Sequence, residues 1–329
     1  MNSQPIAFIH STARFLPDRV LTNADLEKMV DTSDTWIRER TGIRERRIAP
    51  PDMTAADMGA PAAMCALQKG GLSPSDVDLL IVTTATPDRW LPSTACDIQA
   101  RIGALDCLAF DLSAACTGFL YALTVAEGFI AAGKAETILI VSAEKMSSIV
   151  DWSDRATCIL FGDGAGAAVV RPAVDGRGIL SSHHLSDGNL APLLDRPAGG
   201  SAMPLTPELL ASGAHLVHME GREIFKNAVR SMAQSGVEAL AAASLSSEDV
   251  DVMVPHQANI RIIEATAKYS GIPMEKVYVT VDRYGNISSA TIPVALDEAV
   301  EEGRIGPGSV VLMTAFGAGL TWGAVAMRW

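Results

Sequence analysis

Cysteine is scarce in this chain: Cys65, Cys96, Cys107, Cys116 and Cys158 are the only five in 329 residues. The number is odd and no C-x-x-C pair occurs, so neither a disulfide framework nor a thiolate zinc site is indicated, and a reducing cytoplasm is the expected compartment. Basic residues also fall short. Lysine and arginine total 26 against 38 acidic residues, giving a net charge of −12, whereas a surface that tracks phosphates needs the opposite balance. Broad binding to nucleic acid or anionic lipid is therefore excluded, and an acidic partner must find a local basic patch. No apolar run reaches membrane-spanning length, and the opening Met1-Asn2-Ser3-Gln4-Pro5 lacks the regions of an export signal. A soluble protein that is not exported is expected. Metal-ligand spacing is missing too: His183 and His184 are adjacent, and His215 and His218 lack a carboxylate placed as a third ligand. No metal is predicted.

What is plentiful is apolar. With 48% hydrophobic and 19% charged residues, the chain has globular composition and the length for one large domain or two similar ones. Strand-length apolar runs alternate with alanine-rich stretches of helical spacing, the pattern of an α/β layered fold with buried strands. The clearest strands are Leu79–Thr83, Leu108–Leu112, 137–141, 159–161, 167–170, 250–254, 277–281, 310–314 and 324–327. Helices are expected at Ala55–Lys69, 94–101, 119–132 and 292–302, each stopping at glycine as helix C-termini often do. The two halves echo one another. Asp78-Leu79-Leu80-Ile81-Val82 parallels Asp251-Val252-Met253-Val254, each after a helix and a serine-rich turn. The glycine-rich run from Phe161 to Val169 likewise parallels the run from Phe316 to Val325. A duplicated α/β unit follows, with halves 1–172 and 173–329 and a boundary near 172–178. Residues 181–213, rich in Ser, Pro, Gly and His, read as an excursion of loop and short strands of the kind that lines a substrate channel.

Three positions suit chemistry. Cys116 lies between the strand Leu108–Leu112 and an alanine-rich helix, where a helix N-terminus lowers a thiol pKa and leaves backbone donors for an oxyanion. Buried cysteine is also a common core residue, but Ala114, Ala115 and Gly118 leave clearance that a structural cysteine does not need. The other four cysteines fall within helical or strand patterns and are assigned to the core. His256, in Val254-Pro255-His256-Gln257-Ala258-Asn259, follows a strand and precedes the helix Ile260–Tyr269; a lone histidine also suits a structural hydrogen bond. Asn286, in Tyr284-Gly285-Asn286-Ile287-Ser288-Ser289, is read as directly following the 277–281 strand, where it also suits a turn or cap. In α/β sheets ligands bind at the carboxyl ends of strands, and all three residues sit there. Gly162-Asp163-Gly164-Ala165-Gly166 nearly matches a dinucleotide fingerprint but leads into a strand, not a helix, so no nucleotide site is assigned.

At these residues the chain resembles the β-ketoacyl-acyl-carrier-protein synthase III family from end to end. The motifs that carry the resemblance are Asn23-Ala24-Asp25-Leu26-Glu27, Asp34-Thr35-Trp36-Ile37, Arg40-Thr41-Gly42-Ile43-Arg44-Glu45-Arg46, Phe161-Gly162-Asp163-Gly164-Ala165-Gly166, Pro255-His256-Gln257-Ala258-Asn259 and Gly285-Asn286. The resemblance implies a thiolase-like fold, two duplicated halves in a five-layered αβαβα arrangement. It also implies a decarboxylating Claisen condensation of an acyl-CoA primer with malonyl-acyl carrier protein, initiating type II fatty acid synthesis; a thiolase-fold ketosynthase of secondary metabolism with another primer is the alternative. By the same resemblance Cys116, His256 and Asn286 form the catalytic triad, and Thr32, Trp36, Arg40, Arg155 and Asn259 bind coenzyme A, with adenine between Trp36 and Arg155. The N–H groups of Cys116 and Ala318 form the oxyanion hole, and Leu91 and Phe161 belong to an acyl pocket, Leu91 near that of a partner copy in a homodimer. Arg222 and Leu91 depart from the family's asparagine and aromatic residue at those positions. Arg222, Lys226, Arg261 and Lys268 are the candidates for docking an acidic carrier protein; the last two, seven residues apart, share a helical face. No cofactor is expected beyond the coenzyme A thioester, which is a substrate.

Overall fold

The computed structural model describes residues 5–329. Its first half runs β1 (Ala7–Phe15), α1 (Ala55–Lys69), β2 (Leu79–Thr83), α2 (Thr94–Ile102), β3 (Leu108–Leu112), α3 (Gly118–Ala131), β4 (Ile138–Lys145) and β5 (Asp163–Pro172). The second runs β6 (Gly178–Ser186), α4 (Gly221–Ala242), β7 (Val252–Pro255), α5 (Ile260–Tyr269), α6 (Thr291–Glu301), β8 (Val310–Gly317) and β9 (Thr321–Arg328). Local chemistry sets many of these limits. Thr54 caps α1 in a capping box with Asp57, and α2 ends where Gly103 turns left-handed at φ 76°. The serine-rich turns before β2 and β7 are both closed by Ser-to-Asp capping boxes, Ser73 with Asp76 and Ser246 with Asp249.

The first sheet has the order β1-β5-β4-β2-β3 and the second β6-β9-β8-β7. In the first sheet β2 pairs parallel with β3 and β4, and in the second β7 pairs parallel with β8; the remaining pairs, β1–β5, β5–β4, β9–β8 and β6–β9, are antiparallel. Between the sheets lie α3 and α6, whose Phe119, Leu120, Ile292 and Leu296 join Ile81, Ile140, Val254 and Met313 in one core. Helices α1 and α2 cover the far face of the first sheet, and α4 and α5 that of the second. The result is five layers, helix-sheet-helix-sheet-helix. Phe119 is fully buried at its centre, so Phe119→Ala is expected to cost about 3–5 kcal/mol.

Several expected elements differ. Residues 159–161 form turn, with Phe161 making one bridge to Asn286. Residues 277–281 do not form a strand: Val277 makes one bridge to Met253, and the chain then turns into a short helix, Val281–Tyr284. Asn286 thus follows a helical turn, not a strand. Two full sheet strands, β1 and β6, escape the apolar-run criterion because His10, Ser11, Thr12 and Arg14 interrupt one and Ser181-Ser182-His183-His184 the other. The 181–213 excursion accordingly begins as sheet. Cys96 is exposed on the outer side of α2, contrary to its expected place in the core, while Cys65 and Cys107 are half-buried and Cys158 buried.

The glycines of 162–166 serve packing. A Cβ at Gly166 would lie 2.8 Å from Pro293 of α6, and one at Gly162 would lie 2.5 Å from the Tyr284 carbonyl oxygen. Absent side chains let the second half's helix and turn press onto β5.

Candidate active site

Cys116, His256, Asn286 and Phe161 line one apolar cavity together with Asn259, Ala318 and Ser288. Three backbone devices deliver them there. Cys116 sits in a 3-10 turn, Ala115–Thr117, directly before α3, and Ala115 opens that turn at φ 44°. A residue without glycine's freedom in that region stores strain of about 1–3 kcal/mol, common where a side chain must be aimed. From the opposite side Gly317 closes on the nucleophile: a Cβ there would lie 2.8 Å from the Cys116 nitrogen. Only glycine permits that approach, and Ala318 follows it into the cavity.

His256 leaves the end of β7, its N–H bonded to the Thr314 carbonyl, and is buried. Its Nδ1 is 2.7 Å from Thr291 Oγ1, which is also 3.1 Å from the Ser288 carbonyl oxygen. Burial drives the ring's pKa down to about 3, so it is neutral at physiological pH. Asn286 is held at every backbone polar group by the other half: its N–H donates to the Leu160 carbonyl and its carbonyl accepts from Gly162 N–H. The side-chain Oδ1 accepts the Ser288 N–H at 2.8 Å, which orients the amide.

Burial pushes the Cys116 thiol up to about 12, the reverse of the direction expected from the helix end. Desolvation of a sulfur anion is the main cause, and the nearby Glu144 carboxylate adds to it. The Cys116 thiol donates to Ser288 Oγ at 3.6 Å, and the next residue, Ser289, donates its N–H and hydroxyl to the buried Glu144 carboxylate.

Sequence patterns missed several residues here. Gln257, fully buried beside His256, donates to the Pro255 and Tyr278 carbonyls and accepts from the Thr280 and Val281 N–H groups. Thr291, Ser288 and Glu144 also went unread, as did Leu194, Asp195 and Arg196, which line the cavity from the excursion. Its setting after a strand in a loop-rich stretch was the one available signal for the last three.

The expected coenzyme A residues cluster at the helix Asp34–Thr41. The Arg40 and Arg155 guanidinium carbons lie 4.7 and 4.9 Å from the Trp36 ring centroid, and Arg155 donates to the Asp31 carbonyl. Arg155 rests on the indole, so a base held between the two requires it to swing aside. Asn259 caps α5 through the Arg261 N–H and donates to the Arg40 carbonyl, and the Thr32 hydroxyl oxygen is buried without a partner. Leu91 is 86% exposed and lies outside this chain's cavity. On the outer helices Arg261 packs over Phe225, its carbon 5.6 Å from the ring centroid, and Lys226 pairs with Glu223.

Comparison with known proteins agrees with this architecture. Models of 3-oxoacyl-[acyl-carrier-protein (ACP)] synthase III match residues 110–188, and of its C-terminal part residues 240–329. The chain is 51% identical over 314 residues to a β-ketoacyl-[acyl-carrier-protein] synthase III of Roseiflexus sp. (strain RS-1), covering 95% of each. It is 50% identical over 329 residues to one of Xanthomonas campestris pv. campestris, covering 100% of each. The crystal structure of the 3-oxoacyl-[acyl-carrier-protein] synthase III of Aquifex aeolicus VF5 superposes with a TM-score of 0.92 at 49% identity, over 98% of this chain and 100% of that one. Identity at this level along the whole length is decisive: the chain belongs to the β-ketoacyl-[acyl-carrier-protein] synthase III family.

Proposed function

We propose that this condensing acyltransferase, which initiates fatty acid synthesis, divides its reaction between its halves. Cys116 attacks the acyl-CoA thioester, and the N–H groups of Cys116 and Ala318 receive the oxyanion. Coenzyme A leaves and the acyl group stays on sulfur. Malonyl-acyl carrier protein then loses CO2, and the enolate oxygen that develops accepts from His256 Nε2–H and Asn286 Nδ2–H. The enolate carbon attacks the acyl carbonyl carbon, the bond from that carbon to Cys116 sulfur breaks, and the 3-oxoacyl thioester leaves with the cysteine freed. One observation carries this division: Asn286 Oδ1 is already occupied by Ser288 N–H, which leaves the amide N–H groups as its free function in the cavity it shares with His256. The Nε2–H tautomer that this requires has the Thr291 hydroxyl turned from the Ser288 carbonyl, 3.1 Å away, to donate to His256 Nδ1 at 2.7 Å.

These steps call for no metal and no cofactor besides the thioesters. Coenzyme A is held at Thr32, Trp36, Arg40, Arg155 and Asn259, where a planar base meets an indole and two guanidinium groups. The malonyl carrier docks on Arg222, Lys226, Arg261 and Lys268, a patch on two packed outer helices. The protein works as a cytoplasmic homodimer joined along β3, the outer strand of its sheet, where Leu108 is 54% exposed; Trp90, Leu91 and Leu105 are exposed nearby. Leu91 then reaches the partner's acyl pocket, beside Phe161. Relatives sharing half of their residues carry the synthase III name, and the secondary-metabolism alternative is not favoured. The test is to weigh the intact protein after incubation with a panel of acyl-CoAs. One acyl group on Cys116 is expected, and acylation elsewhere or none from any primer overturns the reading.

A further inference from the structure

The oxyanion hole draws one donor from each half, the Cys116 N–H from the turn before α3 and the Ala318 N–H from the turn between β8 and β9. Two donors serve one oxygen only when both come within about 2.7–3.1 Å of it, so the spacing of these two turns is part of the site. Repulsion sets how near they come: a Cβ at Gly317 would lie 2.8 Å from the Cys116 nitrogen, and its absence lets the backbones touch. Contact alone does not hold two turns together. The hydrogen bonds that do so run through two hydroxyls. Thr117 Oγ1 lies 2.7 Å from Thr321 Oγ1 and 2.7 Å from the Ala114 carbonyl oxygen, while Thr321 Oγ1 lies 3.2 Å from the Ala318 carbonyl oxygen. Thr117 is fully buried, where a hydroxyl is costly unless bonded, and neither threonine lines the cavity.

We infer that Thr117 and Thr321 are a positioning pair, one hydroxyl from each half, that sets the width of the oxyanion hole. The inference rests on the reading of Cys116 as nucleophile and of the Cys116 and Ala318 N–H groups as the hole. Each hydroxyl has one proton to give, and the contacts allow two directed chains. In one, Thr321 donates to Thr117 Oγ1 and Thr117 to the Ala114 carbonyl; in the other, Thr117 donates to Thr321 Oγ1 and Thr321 to the Ala318 carbonyl. Both keep the bond that crosses between the halves. The backbones at Gly317 and Cys116 push and the hydroxyls pull, so the spacing is bounded from both sides. The pair therefore serves a reaction that puts negative charge on a carbonyl oxygen as Cys116 attacks. Alkylation of the same sulfur by iodoacetamide has no such need: the sulfur pair bonds the methylene carbon, iodide leaves, and no oxyanion forms. Decarboxylation draws on His256 and Asn286, which other residues hold.

The test compares these two reactions of one sulfur by intact mass in wild type, Thr117→Val, Thr117→Ser and Thr321→Val. Acylation is followed in a single turnover over a range of concentrations of the acyl-CoA that loads wild type fastest, and alkylation with iodoacetamide. Thr117→Val keeps the shape and removes the hydroxyl; it should slow saturated acylation by about ten- to a hundredfold, up to the loss of a whole donor. The half-saturating acyl-CoA concentration and the alkylation rate should both stay within about twofold of wild type, because neither involves the oxyanion. Thr117→Ser restores the hydroxyl and should bring acylation back to within about threefold. Thr321→Val breaks the pair from the other half, at a residue only partly buried. It should show the same selective loss, and it decides alone should Thr117→Val fail to fold. Acylation at the wild-type rate in both valine variants overturns the inference. So does alkylation that falls in step with acylation, since the cysteine itself would then have moved, or a Thr117→Ser as slow as Thr117→Val. Cys116→Ser separates the two levels: if it still acylates, the nucleophile is wrong, and if it is dead while the valine variants match wild type, only the positioning pair is wrong.

Discussion

In the first half the turn before the central helix begins at Ala115, φ 44°; in the second it begins at Ser288, φ 46°. Both turns are 3-10, and both feed a buried helix, α3 and α6. The second residue of the one is Cys116, and of the other Ser289, which grips Glu144. The sheets diverge just before these turns. The first keeps its outer strand β3, paired with β2, and leaves an edge bearing apolar side chains. In the second the corresponding strand shrinks to one bridge at Val277, and the Gln257 side chain supplies the hydrogen bonds that a neighbouring backbone would have made. A duplicated framework therefore kept its backbone geometry where aim mattered and gave up a strand where Asn286 had to cross to the other half. The difference teaches that nucleophile and enolate-binding groups were separated by specialising one turn type, not by building two.

The sharpest way to break this comparison is to inactivate each half alone. Cys116→Ser should abolish acyl-enzyme while leaving malonyl decarboxylation measurable. His256→Ala or Asn286→Ala should suppress decarboxylation by roughly two or more powers of ten, the scale of losing an oxyanion donor, and leave much of the acylation. Equal losses in both half-reactions would show that the labour is not divided. Next in size is Gln257→Ala, which strands buried donors and acceptors and should cost about 3 kcal/mol in urea unfolding. By contrast, Gln99→Ala in the first half loses a bond to the Cys107 carbonyl near the exposed start of β3 and should cost about 1 kcal/mol or less. Similar losses from the two would remove the claim that a side chain replaces a strand.

A third comparison concerns the edges. Leu108→Lys on β3 should weaken self-association by about tenfold or more in light scattering, as an inserted charge does at an apolar contact. An unaltered dimer would put the interface elsewhere. The last effect, spread over several pH units, is the acid limb of stability. His256, held neutral with a pKa near 3 in the fold, ordinarily titrates near 6.5. Between those values the unfolded chain binds more protons, so the contribution is intact above pH 6.5 and is lost as pH falls. His256→Asn should flatten that limb by up to about 1.4 kcal/mol per pH unit. An unchanged limb would mean that the ring charges freely in the fold.

The sequence made parts of this legible for identifiable reasons. Helices that stop at Gly70, Gly103, Gly133 and Gly303, and strands buried on both faces such as β2 and β8, announce themselves through local composition. Cys116 and His256 are legible as candidates because each stands in a compact motif after a strand, whereas Asn286, in the compact pair Gly285-Asn286, follows a helical turn. Glu144 is not legible, since its donors come from residues 84–86 and from Ser289, two stretches that only the fold brings together. The 277–281 segment misled for the opposite reason. Its Val-Tyr-Val pattern reads as strand, and nothing local reveals that Gln257, twenty or more residues earlier, satisfies it.

The bridge between Phe161 and Asn286 bears on how such proteins can be recombined. Because Asn286 takes its backbone partners from Leu160 and Gly162, the halves are not interchangeable parts, even though each has a sheet and covering helices of its own. A chimera joined in the 172–178 turn would inherit two intact cores, yet its asparagine would be aimed by a foreign parent. Exchanging 159–162 together with 285–289 would restore the aim. Inheritance in this protein is therefore partitioned by contact across the molecule, and a crossover at the obvious seam would cut through its smallest functional unit.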